Sequence, residues 1–332
     1  MITLGIETSC DDTSLAFLEN GSKVLAMVSQ DQEEFHIKYG GVVPEIASRI
    51  HLDVINPLYV ELLGKSGIQT RDINLVSVTY GPGLLGSLLI GMTFAKTLCL
   101  VYDIPLVGVN HLVGHLYAPT LSDVNIEYPN ISLIVSGGHT ELLLVNSPEE
   151  IKLLGASRDD AAGEVFDKLG RTLGLGFPAG ARLDKLARTG NPKAIELPRP
   201  MVNSDDLDFS FSGLKTAGVH YLNRTNPQDL NKADFVASLE AAVVDVLVAK
   251  LKKAVSITGV HALNIAGGVS ANTLLRRELT KWCDRDSIKL TIPPLAYCMD
   301  NGAMIAIAGW HRYNLGFRDD MTLDCVAVID WE

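Results

Sequence analysis

Three short apolar runs in this chain end in clusters of Gly, Ser or Thr: residues 2–9 (ITLGIETS), 133–140 (LIVSGGHT) and 263–272 (LNIAGGVSAN). A strand that empties into glycines leaves backbone N–H groups able to close on phosphate oxygens with no side chain in the way. One such loop reads as an ordinary tight turn. Three, each opening on a strand, point to a nucleotide held between two lobes. At 332 residues the chain has the length of about two domains, each large enough to bury a core.

Hydrophobic residues make up 47% and charged residues 20%, which places the chain among ordinary globular proteins without a disordered or low-complexity tract. The longest apolar stretch, residues 84–102, is interrupted by Lys96 and by Gly86, Ser87 and Gly91, so it is expected to be a buried helix and not a membrane span. Met1 leads straight into a strand, which leaves no room for a signal peptide. Five cysteines without a C-x-x-C pair argue against a disulfide framework or zinc knuckle and favour a reduced cytoplasm. A formal net charge of −11 is unfavourable for nucleic acid, so any such contact needs a local basic patch or a helper protein.

Strands are expected at 2–7, 13–19 and 22–28, with Asn20-Gly21 as a hairpin turn. A helix then opens at Pro44 and runs through Leu63, kinked at Pro57. A strand at 74–80, the apolar helix and a strand at 106–109 follow. A polar stretch from Asp123 to Pro129 marks the lobe boundary. Beyond it come paired strands at 131–136 and 141–146, and helices at 160–174, 180–189, 213–223 and 231–257. A strand at 262–266, a helix from 271, a strand at 289–292 and a helix at 301–314 complete an α/β pattern. The expected domains are 1–128, 129–300 with a helical insertion, and 301–332 as a helix and tail that pack back on the first lobe.

His111 and His115 lie four apart at an expected helix start, where two imidazoles share one face and can share a metal ion; the ordinary alternative is a pair of surface or capping histidines. Leu112 occupies the position at which an H-E-x-x-H peptidase carries its glutamate, which disfavours that chemistry. Asp300 is a possible third, hard ligand; equally it suits the N-cap of the helix behind it. Asp159 and Asp160 read as helix-start acids. Asp167, two turns further in, suits a ribose hydroxyl. Asp11 and Asp12 could face metal, water or an attacking amine, or simply close an Asx-type turn.

The segments GIETSCDDT at 5–13, GGVVPEIASRIH at 40–51, GPGLLG at 81–86, VSGGHT at 135–140, AGEVFDK at 162–168, FSFSGLKT at 209–216, AGGVSAN at 266–272 and DNGAMIA at 300–306 together resemble the bacterial tRNA threonylcarbamoyladenosine transferase family. The resemblance runs almost end to end. It implies the actin-like, sugar-kinase-like ATPase fold of two related α/β lobes. It also implies transfer of a threonylcarbamoyl group from its adenylate to the exocyclic amine of the adenosine 3′-adjacent to the anticodon, in tRNAs reading codons that begin with A. Under the resemblance His111, His115 and Asp300 hold one divalent metal, iron(II) with zinc or magnesium as alternatives. Ile134, Val135, Ser136, Gly137, Gly138, Asp167, Gly180, Asp184 and Asn272 bind the adenine nucleotide, and Asp11 is the catalytic candidate. Implied partners are tRNA, a small inactive paralogue, a P-loop ATPase and a separate synthase that makes the adenylate, with no membrane. The rival readings are a small-molecule kinase of the same superfold and a nucleotide-binding scaffold. The chain departs from the family pattern at Val113, where H-x-E-x-H is usual, at Ala179-Gly180-Ala181, at Met299 and at Asp12.

Overall fold

The computed structural model describes residues 1–122, 124–329 and 331. Asp123 of the polar boundary stretch and Asp330 and Glu332 of the tail lie outside the described residues. The chain forms two compact units, Met1–Asn125 with Pro293–Asp330, and Ile126–Ile292 with Trp331–Glu332.

In the first unit, β1 (Ile2–Glu7), β2 (Thr13–Glu19) and β3 (Lys23–Gln30) form an antiparallel meander. Asn20 and Gly21 both adopt positive φ, 51° and 69°, the conformation a tight hairpin with right-handed strand twist requires. Next come α1 (Glu33–His36), α2 (Pro44–Ser66), β4 (Leu75–Gly81), α3 (Leu85–Tyr102), β5 (Leu106–Asn110) and α4 (His111–Tyr117). Strand order is β3-β2-β1-β4-β5, with β1, β4 and β5 parallel. Helix α2 starts with Pro44 in the first turn, where its missing N–H costs nothing, and continues through Pro57 to a left-handed Gly67.

Helix α3 corrects the expectation of a wholly buried segment. Its inner face, including Leu88, Met92, Ala95 and Cys99, joins the core, but Leu85, Leu89, Leu100, Val101 and Tyr102 are exposed. It is the one described helix long and apolar enough to cross a membrane on length and composition.

The second unit repeats the topology. It contains β6 (Asn130–Val135), β7 (Thr140–Ser147), β8 (Glu150–Ala156), α5 (Ala162–Thr172), α6 (Gly180–Ala187), α7 (Ser212–Arg224), α8 (Lys232–Thr258), β9 (Ala262–Ala266), α9 (Thr273–Asp286) and β10 (Lys289–Thr291). Its order, β10-β9-β6-β7-β8, is the first sheet's arrangement again: an antiparallel meander on one side and parallel strands on the other. Strand β8 was not expected from the sequence, because E-I-K-L-L-G-A is an edge strand with Lys152 and Leu153 exposed and lacks clean alternation.

The final helix, α10 (Gly302–Asn314), belongs to the first unit and lies flat on β1, β2 and β4. Glycine makes this approach possible: a Cβ on Gly5 would fall 2.0 Å from the Gly302 carbonyl oxygen, and one on Gly114 would fall 2.7 Å from Ile305 Cδ1. The first unit's sheet is thus covered on both faces, by α2 and α3 on one and by α4 and α10 on the other.

Candidate metal and nucleotide sites

Asn110, the last residue of β5, caps α4 by accepting from the N–H groups of Leu112 and Val113, so the helix begins at His111. His111 and His115 are therefore one turn apart on one face, with ring centroids 4.8 Å apart. Close packing of α4 on α10 sets that face against the loop that precedes α10. There Asn301, not Asp300, supplies the N-cap by accepting from Met304 N–H. Asp300 is thereby released, and its Oδ1 lies 3.0 Å from His115 Nε2 and 3.5 Å from His111 Nε2. One donor atom from each of the three residues falls within 4.8 Å of the others. Both histidines are buried, at 6% and 0% exposure, which removes the surface alternative, and Asn110 removes the capping one.

The surroundings suit a cation. Burial opposes a proton on His111, yet the Asp300 and Glu7 carboxylates outweigh it and raise its pKa to about 9. Asp12 is pushed up to about 8 by burial and then by Asp300, Asp11, Asp31 and Glu7. Asp11 is raised by burial, with Asp300 adding to it. Carboxylates that repel one another in a buried setting are relieved by a divalent ion. The Nδ1 of His115 is a buried atom without a hydrogen-bond partner among the described residues. Two imidazoles and one carboxylate form a donor set for first-row divalent metals, with other coordination positions left for oxygen ligands.

Glu7 was not singled out in the sequence. The last residue of β1, it is wholly buried, accepts from Ser9 N–H and Thr79 Oγ1–H, and lies 3.0 Å from His111 Nδ1. Burial alone would raise its pKa, but His111 draws it below the ordinary value.

Val113 lies two residues from each histidine, so its side chain leaves the helix on another face, half-buried against the cluster around α10. A carboxylate at this position would not reach either ring. Val113→Glu is expected to give no gain in metal affinity and to lower stability by about 1–2 kcal/mol, the scale of a partly buried Val side chain. Thermal melts beside a metal titration check both parts.

The residues expected around the nucleotide all belong to the second unit. The side chains of Ile134 and Val135 are wholly buried in β6, which leaves only their backbones to face a ligand. Ser136 closes the following turn through its N–H to the His139 carbonyl and through its Oγ, which accepts from His139 N–H. At Gly137 and Gly138 the space a Cβ would take is open, as it is at Gly180, the first residue of α6. Gly267 (φ 88°) packs its α-carbon against the Val135 carbonyl, which sets the loops after β6 and β9 side by side.

The carboxylates here do more structural work than the sequence suggested. Asp167 Oδ1 accepts from Ala179 N–H at 2.7 Å, at the head of α6. Asp184 accepts from Thr273 N–H and Oγ1–H and from the Arg188 guanidinium, fixing the head of α9. Asn272 caps α9 through Leu275 N–H and donates its Nδ2–H to Glu240. Asp159 and Asp160 do not start α5. Asp159 accepts from Phe211 and Ser212 N–H groups and both neighbouring hydroxyls at the head of α7, which holds its pKa at about 2 despite some desolvation. Asp160 pairs with Lys215. Asp159→Ala is expected to cost about 1–2 kcal/mol, the worth of a good N-cap, measured by denaturant unfolding.

The two repeated sheets and their glycine turns define a protein of the actin-like ATPase fold carrying a His-His-Asp group able to hold a metal. Among solved structures, the activator of 2-hydroxyisocaproyl-CoA dehydratase from Clostridium difficile, with bound ADPNP, matches with a TM-score of 0.56 at 15% identity, covering 95% of this chain and 96% of that one. HypF in a phosphate- and nucleotide-bound form matches with a TM-score of 0.59 at 13% identity, covering 95% of this chain and 47% of that one. Sequence is more specific. The family model of TsaD, tRNA N6-adenosine threonylcarbamoyltransferase, matches residues 23–307. Proteins of that name from Thermosipho africanus and Clostridioides difficile are 48% and 45% identical, each over 98% of this chain and over 98% and 97% of their own lengths. The chain belongs to the tRNA N6-adenosine threonylcarbamoyltransferase family.

Proposed function

We propose that this chain moves the threonylcarbamoyl group from threonylcarbamoyl-AMP to the exocyclic amine of the adenosine immediately 3′ of the anticodon, in tRNAs reading codons that begin with A, and releases AMP. Family likeness over nearly the whole chain carries this reading. In the reaction the amine nitrogen bonds to the carbamoyl carbon and the carbon–oxygen bond to phosphate breaks. The phosphate oxygen keeps the electron pair, and the amine gives up one proton. Asp11 is assigned to that proton, because a carboxylate raised by burial and by Asp300 is a better base than an exposed one. His111, His115 and Asp300 are assigned to one divalent ion, iron(II) in this reading with zinc or magnesium as alternatives. When bound it supplies positive charge that favours phosphate and leaving-group oxygens.

In the same reading the backbone from Ile134 to Gly138, together with Gly180, receives the adenylate, and Asp167 takes the ribose. Asp184 and Asn272 act by holding the turn before α9 in place. Asp167→Ala is expected to weaken AMP binding by about 1.5–3 kcal/mol in calorimetry. Because Asp167 also holds Ala179 N–H, Asp167→Asn, which keeps that acceptor, separates lost charge from a loosened α6.

A chain of net charge −11 needs help with tRNA. Arg188, Arg199 and Arg277 are already paired with Asp184, Asp245 and Glu278. We assign that help to a small inactive paralogue and a P-loop ATPase, with a separate synthase supplying the adenylate, all in the cytoplasm. Leu52 and Val60 on α2 and Leu89, Leu100 and Val101 on α3 are exposed apolar residues, which we propose as contacts available to such a partner. The deciding experiment incubates purified chain and partners with threonylcarbamoyl-AMP and unmodified tRNA, followed by nucleoside analysis. Modified adenosine is expected. Its absence, with nucleotide still bound, would favour the kinase or scaffold reading.

A further inference from the structure

The two histidines of the triad are held differently. His115 sets Nε2 against Asp300, while its Nδ1 is buried with no hydrogen-bond partner among the described residues. His111 has Nδ1 engaged from two sides, by Glu7 Oε2 at 3.0 Å and Ser9 Oγ at 3.1 Å, which leaves Nε2 as the atom that faces Asp300. Glu7 itself has little freedom. Ser9 N–H holds one oxygen at 2.5 Å, Thr79 Oγ1–H holds the other at 2.6 Å, and the side chain is 0% exposed between β1 and β4. Burying a carboxylate is costly unless it is paired and hydrogen-bonded. The pairing here is with one ring nitrogen of one candidate ligand.

We infer that Glu7 is the positioning residue of the metal site: it holds His111 as the Nδ1–H tautomer, aims the Nε2 lone pair at the ion, and supplies the orienting carboxylate from β1. Ser9 N–H and Thr79 Oγ1–H both donate to Glu7, so its oxygens act as acceptors and the proton of the 3.0 Å contact is placed on His111 Nδ1; a carboxylate bonded behind an imidazole in this way makes the other ring nitrogen a more basic ligand. This inference rests on the reading of His111, His115 and Asp300 as ligands.

The test strips the full-length protein of metal and titrates it with cobalt(II) and then zinc(II), reading cobalt absorption and competition with a chelator. Glu7→Gln is expected to weaken binding about 10- to 100-fold. His111→Ala serves as the control for the site itself. If His111→Ala loses metal but Glu7→Gln binds within about threefold of the wild type, Glu7 is only a buried structural acid and the inference is overturned. If His111→Ala binds metal as the wild type does, the ligand assignment has failed, which is a separate result. A second readout does not depend on any variant folding. In zinc-loaded protein with ¹⁵N-labelled histidine, His111 is expected to show a protonated Nδ1 and a metal-bound Nε2. Ligation through Nδ1 would also overturn the inference.

Discussion

His115→Ala is expected to empty the metal site, taking metal content from near one ion per chain to a small fraction and cutting threonylcarbamoyl transfer by at least roughly 100-fold. The size follows from the donor set. In the proposed site His111, His115 and Asp300 each offer one ligand atom, so loss of one imidazole leaves only two of the three. His111→Ala should behave alike. Neither change should unfold the first unit, because its core is the two apolar clusters on either side of the sheet and the rings belong to neither. Elemental analysis and circular dichroism read the two parts independently. Full metal and full activity in both variants would mean that the histidines are structural.

The pairing of His111 and His115 in the candidate metal group was legible because they lie four apart on a helix, a spacing that fixes their geometry before any tertiary structure is known. Asp300 was not placed by spacing. Its position depends on α10 lying flat against β1, which the Gly5–Gly302 contact permits, and on Asn301 taking over the cap through Met304 N–H. Glu7 was invisible for the same reason: a glutamate at a strand end looks like a solvated residue until β4 and α4 close around it. In the second unit the sequence located the loops but not the work of their acids. Asp159 and Asp184 have the composition of ligand or helix-start residues, and only the fold shows which helix each one caps. Strand β8 escaped because an exposed edge carries no strong alternation, although the duplicated topology requires a third meander strand there.

Glu240 was hidden by a different effect. It sits in α8 one position from the apolar stripe Phe235, Leu239 and Val243, where a glutamate is ordinarily solvent-facing. Helix α8 is buried on more than one face, and Glu240 is 3% exposed. Its Oε1 accepts from Asn272 Nδ2 at 2.8 Å, so this acid stands directly behind the cap of α9 and the turn assigned to nucleotide. Burial, with the Asp184 carboxylate adding to it, raises its pKa from 4.5 to about 7, against the opposing pull of Asn272 and Arg188.

That shift makes Glu240→Gln a stabilising substitution with a defined pH signature. Unfolded, the carboxyl ionises near 4.5; folded, it holds its proton to about 7. Between those values the folded state binds a proton that the unfolded state has released, so Glu240 lowers stability as pH rises through the window. Below about 4.5 both states are protonated and the cost is absent. Above about 7 both are ionised and the cost is complete, up to about 3 kcal/mol. The glutamine amide keeps a carbonyl to accept from Asn272 and never ionises. The variant is therefore expected to match the wild type near pH 4 and to exceed it by a growing margin up to pH 7. From there the margin should stay constant, a gain of several degrees in Tm. Melting curves of both proteins from pH 4 to 8 measure that difference directly. A flat difference across the range would mean that Glu240 titrates in the fold as it does in the unfolded chain, with Asn272 and Arg188 compensating its burial in full.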